Sequence, residues 1–98
     1  MNREQIIAKL RAHEPRLKKA GIVHLSLFGS VVRGDAGPES DVDLLAAFDD
    51  ARPISLMDVV GLEIELSGLL GKTVELVEEG TLKPRVRKTV EAEAVRAF

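Results

Sequence analysis

Three observations predict that these 98 residues form a small α/β (α+β) domain, with helices packed on a mixed three-stranded sheet. Residues 42–48 alternate apolar and other side chains with the two-residue period of a strand. Residues 55–70 carry apolar side chains at the three- and four-residue steps of a helix. Along the chain the two patterns interleave as helix, strand, strand, helix, strand, helix, an order that places helices against a sheet. Apolar residues make up 45% of the chain and the only aromatics are three Phe, so one modest core of Leu, Val, Ile and Ala is expected. Residues 1–98 are read as one domain, without repeat or linker.

The elements follow in order. Residues 2–12 read as a helix with Asn2 as N-cap, Gln5 at the capping-box position and Ile6, Ile7 and Leu10 as its apolar stripe. Pro15 ends or restarts that helix, and residues 17–20 form a short second piece stopped by Gly21. Residues 23–28 are expected as a strand with Val23, Leu25 and Leu27 on one face and His24, Ser26 and Phe28 on the other. Gly29 and Ser30 break it, residues 30–33 make a short helix closed by Gly34, and residues 35–40 are a turn-rich loop.

The second strand, 42–48, puts Val42, Leu44, Ala46 and Phe48 on one face, and residues 49–53 are a polar connector. The long helix at 55–70 has Val59, Leu62, Leu66, Leu69 and Leu70 on its main stripe and Gly71 as its stop. A second apolar arc, Leu56, Val60 and Ile64, is more than so small a core needs and suggests a partner surface, although Glu63 lies between the arcs. A third strand spans 73–77. Thr81 and Pro84 suit the start of a last helix carrying Leu82, Val86, Val90 and Ala94 at four-residue steps.

Composition narrows the function. A formal charge of -2 from 14 basic and 16 acidic residues is not that of a protein held by nonspecific attraction to a nucleic-acid backbone, so direct nucleic-acid binding is not expected. With no Cys, thiol catalysis, disulfides and Cys-ligated zinc are excluded, and His13 and His24 lack a zinc-site spacing. The N-terminal residues lack the apolar run of a signal peptide and no stretch is a membrane span, so a cytoplasmic protein is expected.

The chemistry concentrates in residues 29–44, GSVVRGDAGPESDVDL. Asp41 and Asp43 stand two apart at the start of a strand, so both carboxylates leave the same face. Their mutual repulsion is relieved by a hard divalent cation such as Mg²⁺, which takes carboxylate oxygens and keeps positions open for water and phosphate. Gly29 and Ser30 sit where a strand hands over to a helix, where close backbone approach and outward N–H groups favour an anion. Glu75 is a lone acid within an otherwise apolar strand, and ligation beside Asp41 and Asp43 would give it a purpose. Arg33 could contact phosphate or brace the loop by pairing with Asp35 or Asp41, and Ser40 reads as a cap of the turn. Lys83, Arg85, Arg87 and Lys88 crowd the first turns of the last helix against its dipole, as a solvated face or as a contact with triphosphate, an acidic partner or RNA.

The pattern G-S-x2-R-G-x5-S-D-x-D-L, formed by Gly29, Ser30, Arg33, Gly34, Ser40, Asp41, Asp43 and Leu44, resembles the signature of polymerase-beta-type nucleotidyltransferases. At about one in fifteen per position, eight fixed positions match by chance on the order of 10⁻⁹ times per start site, so composition alone does not account for it. Length brings the chain closest to the minimal (MNT) branch, often the antitoxin paired with a HEPN-domain toxin. The resemblance continues through the long helix, the GKTVELV strand and the LKPRVR helix start.

By position, the resemblance implies that Gly29 and Ser30, with Arg33, bind the phosphates of ATP. It further implies that Asp41 and Asp43 hold two Mg²⁺ ions, and that Glu75 completes the metal site and helps deprotonate an acceptor hydroxyl. The family usually has Asp at that third position, one methylene shorter. The implied reaction moves AMP, or another NMP, from a nucleoside triphosphate to a hydroxyl, with a tyrosine of a cognate HEPN toxin as the implied acceptor, in the manner of a type VII antitoxin. A homo-oligomer or a hetero-oligomer with the toxin would be compatible. The alternative is an antitoxin of little or no activity that silences its partner by covering it. Transfer to small molecules such as aminoglycosides would need an acceptor pocket from a second domain or a dimer.

Overall fold

Two antiparallel strands, β1 (Ile22–Phe28) and β2 (Val42–Phe48), form the centre of a four-stranded sheet in the computed structural model, which describes residues 2–37 and 39–98. β3 (Val74–Glu78) joins β2 in parallel, and β4 (Val95–Arg96) joins the other edge of β1 antiparallel, in the order β3-β2-β1-β4. A parallel neighbour requires a crossover, supplied by α4 (Leu56–Leu70). The remaining helices are α1 (Arg3–Ala12), α2 (Glu14–Lys19), α3 (Ser30–Arg33) and α5 (Pro84–Glu93), with a 3₁₀ turn at Glu79–Thr81.

Local signals set most boundaries. Asn2 and Gln5 exchange both bonds of a capping box at 2.9 Å, and Ser55 with Asp58 does the same for α4. Pro15 lies in the first turn of α2, where its missing N–H costs nothing, so it restarts the helix. One core then forms on a single sheet face. Ile6 and Leu10 of α1, Leu17 of α2, and Leu62, Leu66 and Leu70 of α4 close over Leu25, Leu27, Val42, Leu44 and Ala46.

The expected alternation of the first strand fails at one residue. Ile22 is fully buried while Val23 is 40% exposed. The cause is a bulge. Ile22 pairs with Phe48 and His24 with Ala47, leaving Val23 as the extra residue, and the inward set becomes Ile22, Leu25 and Leu27.

The sheet has four strands, not the expected three, and the last helix is shorter than its four-residue steps suggest. α5 stops at Glu93, and Ala94 turns into extended backbone at φ -63, ψ 142. Val95 and Arg96 then pair with Leu27 and Ser26, Ala97 N–H donates to Leu25 O at 2.8 Å, and Leu25 N–H donates to Phe98 O at 3.2 Å. The outer edge of β1 lies beside fully buried Leu25, and its amide groups need partners more than Ala94 needs another helical turn.

The opposite edge is closed by side chains. Ser67 Oγ accepts from Val74 N–H at 3.0 Å and Glu63 accepts from Leu76 N–H at 2.8 Å, so α4 caps the outward amides of β3. Glu63 therefore joins helix to strand. The second arc of α4 stays uncovered, with Leu56 78%, Ile64 69% and Val60 38% exposed. Among the described residues, no helix is long and apolar enough to cross a membrane.

Candidate active site

The face of the sheet opposite the core carries the acids. β2 is buried at Val42, Leu44 and Ala46, so Asp43 between them points the other way, half-buried. The parallel register sets Asp43 beside Glu75, whose side chain leaves the same face because Val74 and Leu76 point into the core. Asp41 stands exposed just ahead of β2. The antiparallel register pairs Phe28 with Asp43, which brings Gly29 alongside the Asp43 carboxylate.

Gly29 is required there on two counts. Its φ of 80 and ψ of -154 belong to a region essentially open only to glycine. A Cβ would also collide with Asp43 Oδ2 and crowd the Cγ and Cβ of that residue. From Gly29 the chain enters α3, with Arg33 N–H donating to Gly29 O at 3.1 Å and Gly34 closing the helix in the left-handed region. Ser40 Oγ accepts from Gly37 N–H at 2.8 Å, as a cap of the loop. Of the expected turn-rich residues 35–40, Pro38 lies outside the described residues.

The electrostatics set Asp43 apart. Its carboxyl holds its proton above the usual aspartate range, chiefly because burial disfavours the charged form. The charges of Glu75 and Asp41 add to this, as does a hydrogen bond shared with Glu75, while Arg33 works in the opposite sense. Neighbouring carboxyls on this face lack positive charge between them. A hard divalent cation supplies it, so the donors present fit Mg²⁺.

The acids do not make a closed cage. Among the described residues no three His, Asp or Glu side chains gather as a complete metal-binding group: Asp43 and Glu75 converge, and Asp41 acts on Asp43 through its charge. Mg²⁺ is commonly held by one or two carboxylates with water and substrate phosphate completing the shell, and an open pair suits that mode.

Arg33 braces the loop. Nε donates to Asp35 at 3.3 Å, and Nη1 donates to Glu93 Oε1 at 3.1 Å and Oε2 at 3.3 Å. Asp35 first and Glu93 second raise its proton affinity further above the ordinary arginine value. Asp35 was one of the two partners suggested by sequence, and Glu93 is new. Glu93 also accepts the Gly29 N–H at 2.7 Å. One sign of it was legible, since an acid in the last turn of a helix opposes the helix dipole and calls for a tertiary reason. In α5, Arg87 bonds to Glu79 at 2.8 Å and Glu91 at 2.9 Å, so part of the basic cluster is an ion-pair network on the helix surface.

The chain is similar to known proteins over most of its length. Residues 6–97 match the nucleotidyltransferase domain family. The protein adenylyltransferase MntA of Thermococcus cleftensis is 41% identical over 93 residues, which cover 94% of this chain and 92% of that protein. A solved candidate minimal nucleotidyltransferase superposes with a TM-score of 0.81 at 41% identity, covering 97% of this chain and 95% of the other. A chain from the complex of a tri-AMPylated Shewanella oneidensis HEPN toxin with its MNT antitoxin has the same fold. Its TM-score is 0.61 at 17% identity, over 90% of this chain and 71% of that one.

Proposed function

This chain belongs to the nucleotidyltransferase domain family, and we propose that it is a Mg²⁺-dependent protein adenylyltransferase that moves AMP from ATP to a hydroxyl of a partner protein. The acceptor is a tyrosine of a HEPN-domain toxin, and the modification makes this chain the antitoxin of the pair. The observation that carries the reading is the Asp43–Glu75 pair, pressed together on the open sheet face beside a glycine that leaves room for it. A protein keeps such a pair at a cost in its own electrostatics, and a cation bearing a triphosphate relieves it.

The residues divide the work by position. The turn from β1 into α3 seats the β- and γ-phosphates of ATP, Gly29 by allowing close backbone approach and Ser30 and Arg33 by facing the phosphates. Asp41, Asp43 and Glu75 would hold the Mg²⁺ ions, which would supply neutralisation of the triphosphate and stabilise the charge that develops during transfer. Glu75, exposed at the edge of the pair, accepts the proton of the acceptor hydroxyl. The hydroxyl oxygen forms a bond to the α-phosphorus, the bond from that phosphorus to the bridging oxygen breaks, and pyrophosphate leaves with its electron pair. These 98 residues contain no Tyr, so a tyrosine acceptor lies outside them.

Intact masses after incubation with Mg²⁺, ATP and the HEPN partner test the reading. The partner is expected to gain one or more AMP units, and Asp41→Asn with Asp43→Asn to leave it unmodified while the fold is kept. Transfer by that double variant would refute the assignment.

The uncovered arc of α4, with Leu56 78% and Ile64 69% exposed, favours a second reading in which the chain silences its partner by binding alone. In that case the same double variant neutralises the toxin undiminished, and the toxin's mass does not change.

A further inference from the structure

We propose that Glu93 is a positioning residue for the triphosphate, clamping the Gly29 backbone and the Arg33 side chain in the arrangement that receives phosphate. This rests on the nucleotidyltransferase reading and adds a residue that the Gly-Ser and Asp-x-Asp elements do not contain.

The clamp joins parts of the chain that are 64 residues apart. Gly29 is buried, so its N–H needs an acceptor inside the protein, and a carboxylate supplies a charge-assisted one. The same carboxylate engages Nη1 of Arg33 through both oxygens while Asp35 engages Nε, which fixes the plane of the guanidinium from two sides. Among the described residues none accepts from Nη2, which leaves that nitrogen in the plane for a phosphate oxygen. Held this way, Arg33 has little rotamer freedom to lose when the nucleotide arrives.

Glu93 is itself well anchored. It is the last residue of α5, a position its charge does not favour, and the chain beyond it is fixed to β1 at once. Val95 and Arg96 pair with Leu27 and Ser26, Ala97 N–H donates to Leu25 O, and Arg11 Nε donates to Ala97 O at 2.6 Å. A carboxylate that blocks the phosphate seat would have to withdraw before nucleotide binds. This one is two residues from a strand built into the sheet, so it is placed to brace rather than to swing.

The test measures binding of a non-hydrolysable ATP analogue with Mg²⁺ by calorimetry, and KM and kcat for AMP transfer. Glu93→Ala should weaken analogue binding and raise the KM for ATP about tenfold, the size of one hydrogen bond's net contribution. Its kcat at saturating ATP should stay within about twofold, because the clamp acts on nucleotide binding. Glu93→Gln, which keeps an acceptor for the Gly29 N–H, should recover most of the loss. Glu93→Asp, one methylene too short to span both partners, should not. The effect of Glu93→Ala should shrink when Arg33 is already Ala, since the two act as a unit.

Should Glu93→Ala fail to fold, the contrast between Glu93→Gln and Glu93→Asp decides. Unchanged binding in all three variants overturns the clamp, and tighter binding in Glu93→Ala overturns it in favour of a competing carboxylate. A parent protein that binds no analogue overturns the nucleotidyltransferase reading and the clamp with it. Normal binding by the parent with indifferent variants overturns the clamp alone.

Discussion

Gly29→Ala and Gly34→Ala together separate backbone strain from damage to the site. Both glycines have φ of 80, but Gly34 has ψ of 13 in the ordinary left-handed region, and none of the described residues comes within 4 Å of where its Cβ would be. Gly34→Ala should therefore cost only the left-handed penalty, about 1–2 kcal/mol. Gly29→Ala meets a less tolerant backbone region, where a non-glycine residue costs roughly 1–3 kcal/mol. It also forces the Asp43 carboxylate aside, because the new Cβ would collide with Oδ2. At about 4–8 °C per kcal/mol for a domain of this size, Gly34→Ala should lower Tm by roughly 4–16 °C and Gly29→Ala by more.

Thermal unfolding gives the stability difference, and calorimetry of a Mg²⁺–ATP analogue gives the functional one. Below the transition Gly34→Ala should bind the analogue like the parent, whereas Gly29→Ala should lose binding even at temperatures where it is folded. Equal loss of stability in the two variants, together with intact binding by Gly29→Ala, would refute the reasoning. It would mean that Asp43 has room the structure does not give it.

Two further predictions concern pH and have opposite signs. The folded-state proton affinity of Asp43 is raised, so its contribution to stability is fully present below the unfolded-state value and is lost as pH rises through the folded one. Asp43→Asn in chelator-treated protein should thus hold or raise Tm at neutral pH and lose this advantage in acid, while added Mg²⁺ should raise Tm of the parent and not of the variant. A marked fall in Tm at neutral pH would argue against a strained carboxyl pair. Asp58 is the reverse: hydrogen bonds from the Ser55 backbone and hydroxyl hold its carboxyl below the ordinary 3.8. Its contribution is present above that value and lost as pH falls through the lower folded-state one. Asp58→Asn should flatten the acid side of the urea-midpoint profile, and a profile as steep as the parent's would contradict the capping role.

The amino-acid sequence by itself determined what short-range physics controls. The capping box at Asn2 rests on bonds between residues three apart, the stripe of Leu62, Leu66 and Leu70 follows from helical period, and the glycine stops at Gly34 and Gly71 need only a positive φ. The acid pair and the Gly-Ser turn were legible because their chemistry lies within sixteen consecutive residues, 29–44.

Only the tertiary structure decided matters that depend on what a distant segment needs. The bulge that turns Val23 outward is set by pairing with Ala47 and Phe48, and β4 forms because the outer edge of β1 lacks partners that four more residues of helix could not supply. Glu63, between the two apolar arcs, finds its partner only when β3 places Leu76 N–H against it. The meeting of Glu75 with Asp43 depends on strand register, and that of Glu93 with Gly29 on how the chain folds back, contacts that span 32 and 64 residues. Period and turn chemistry extend over a few residues, whereas charge and unsatisfied amides act through space, so their partners emerge only when the chain has folded.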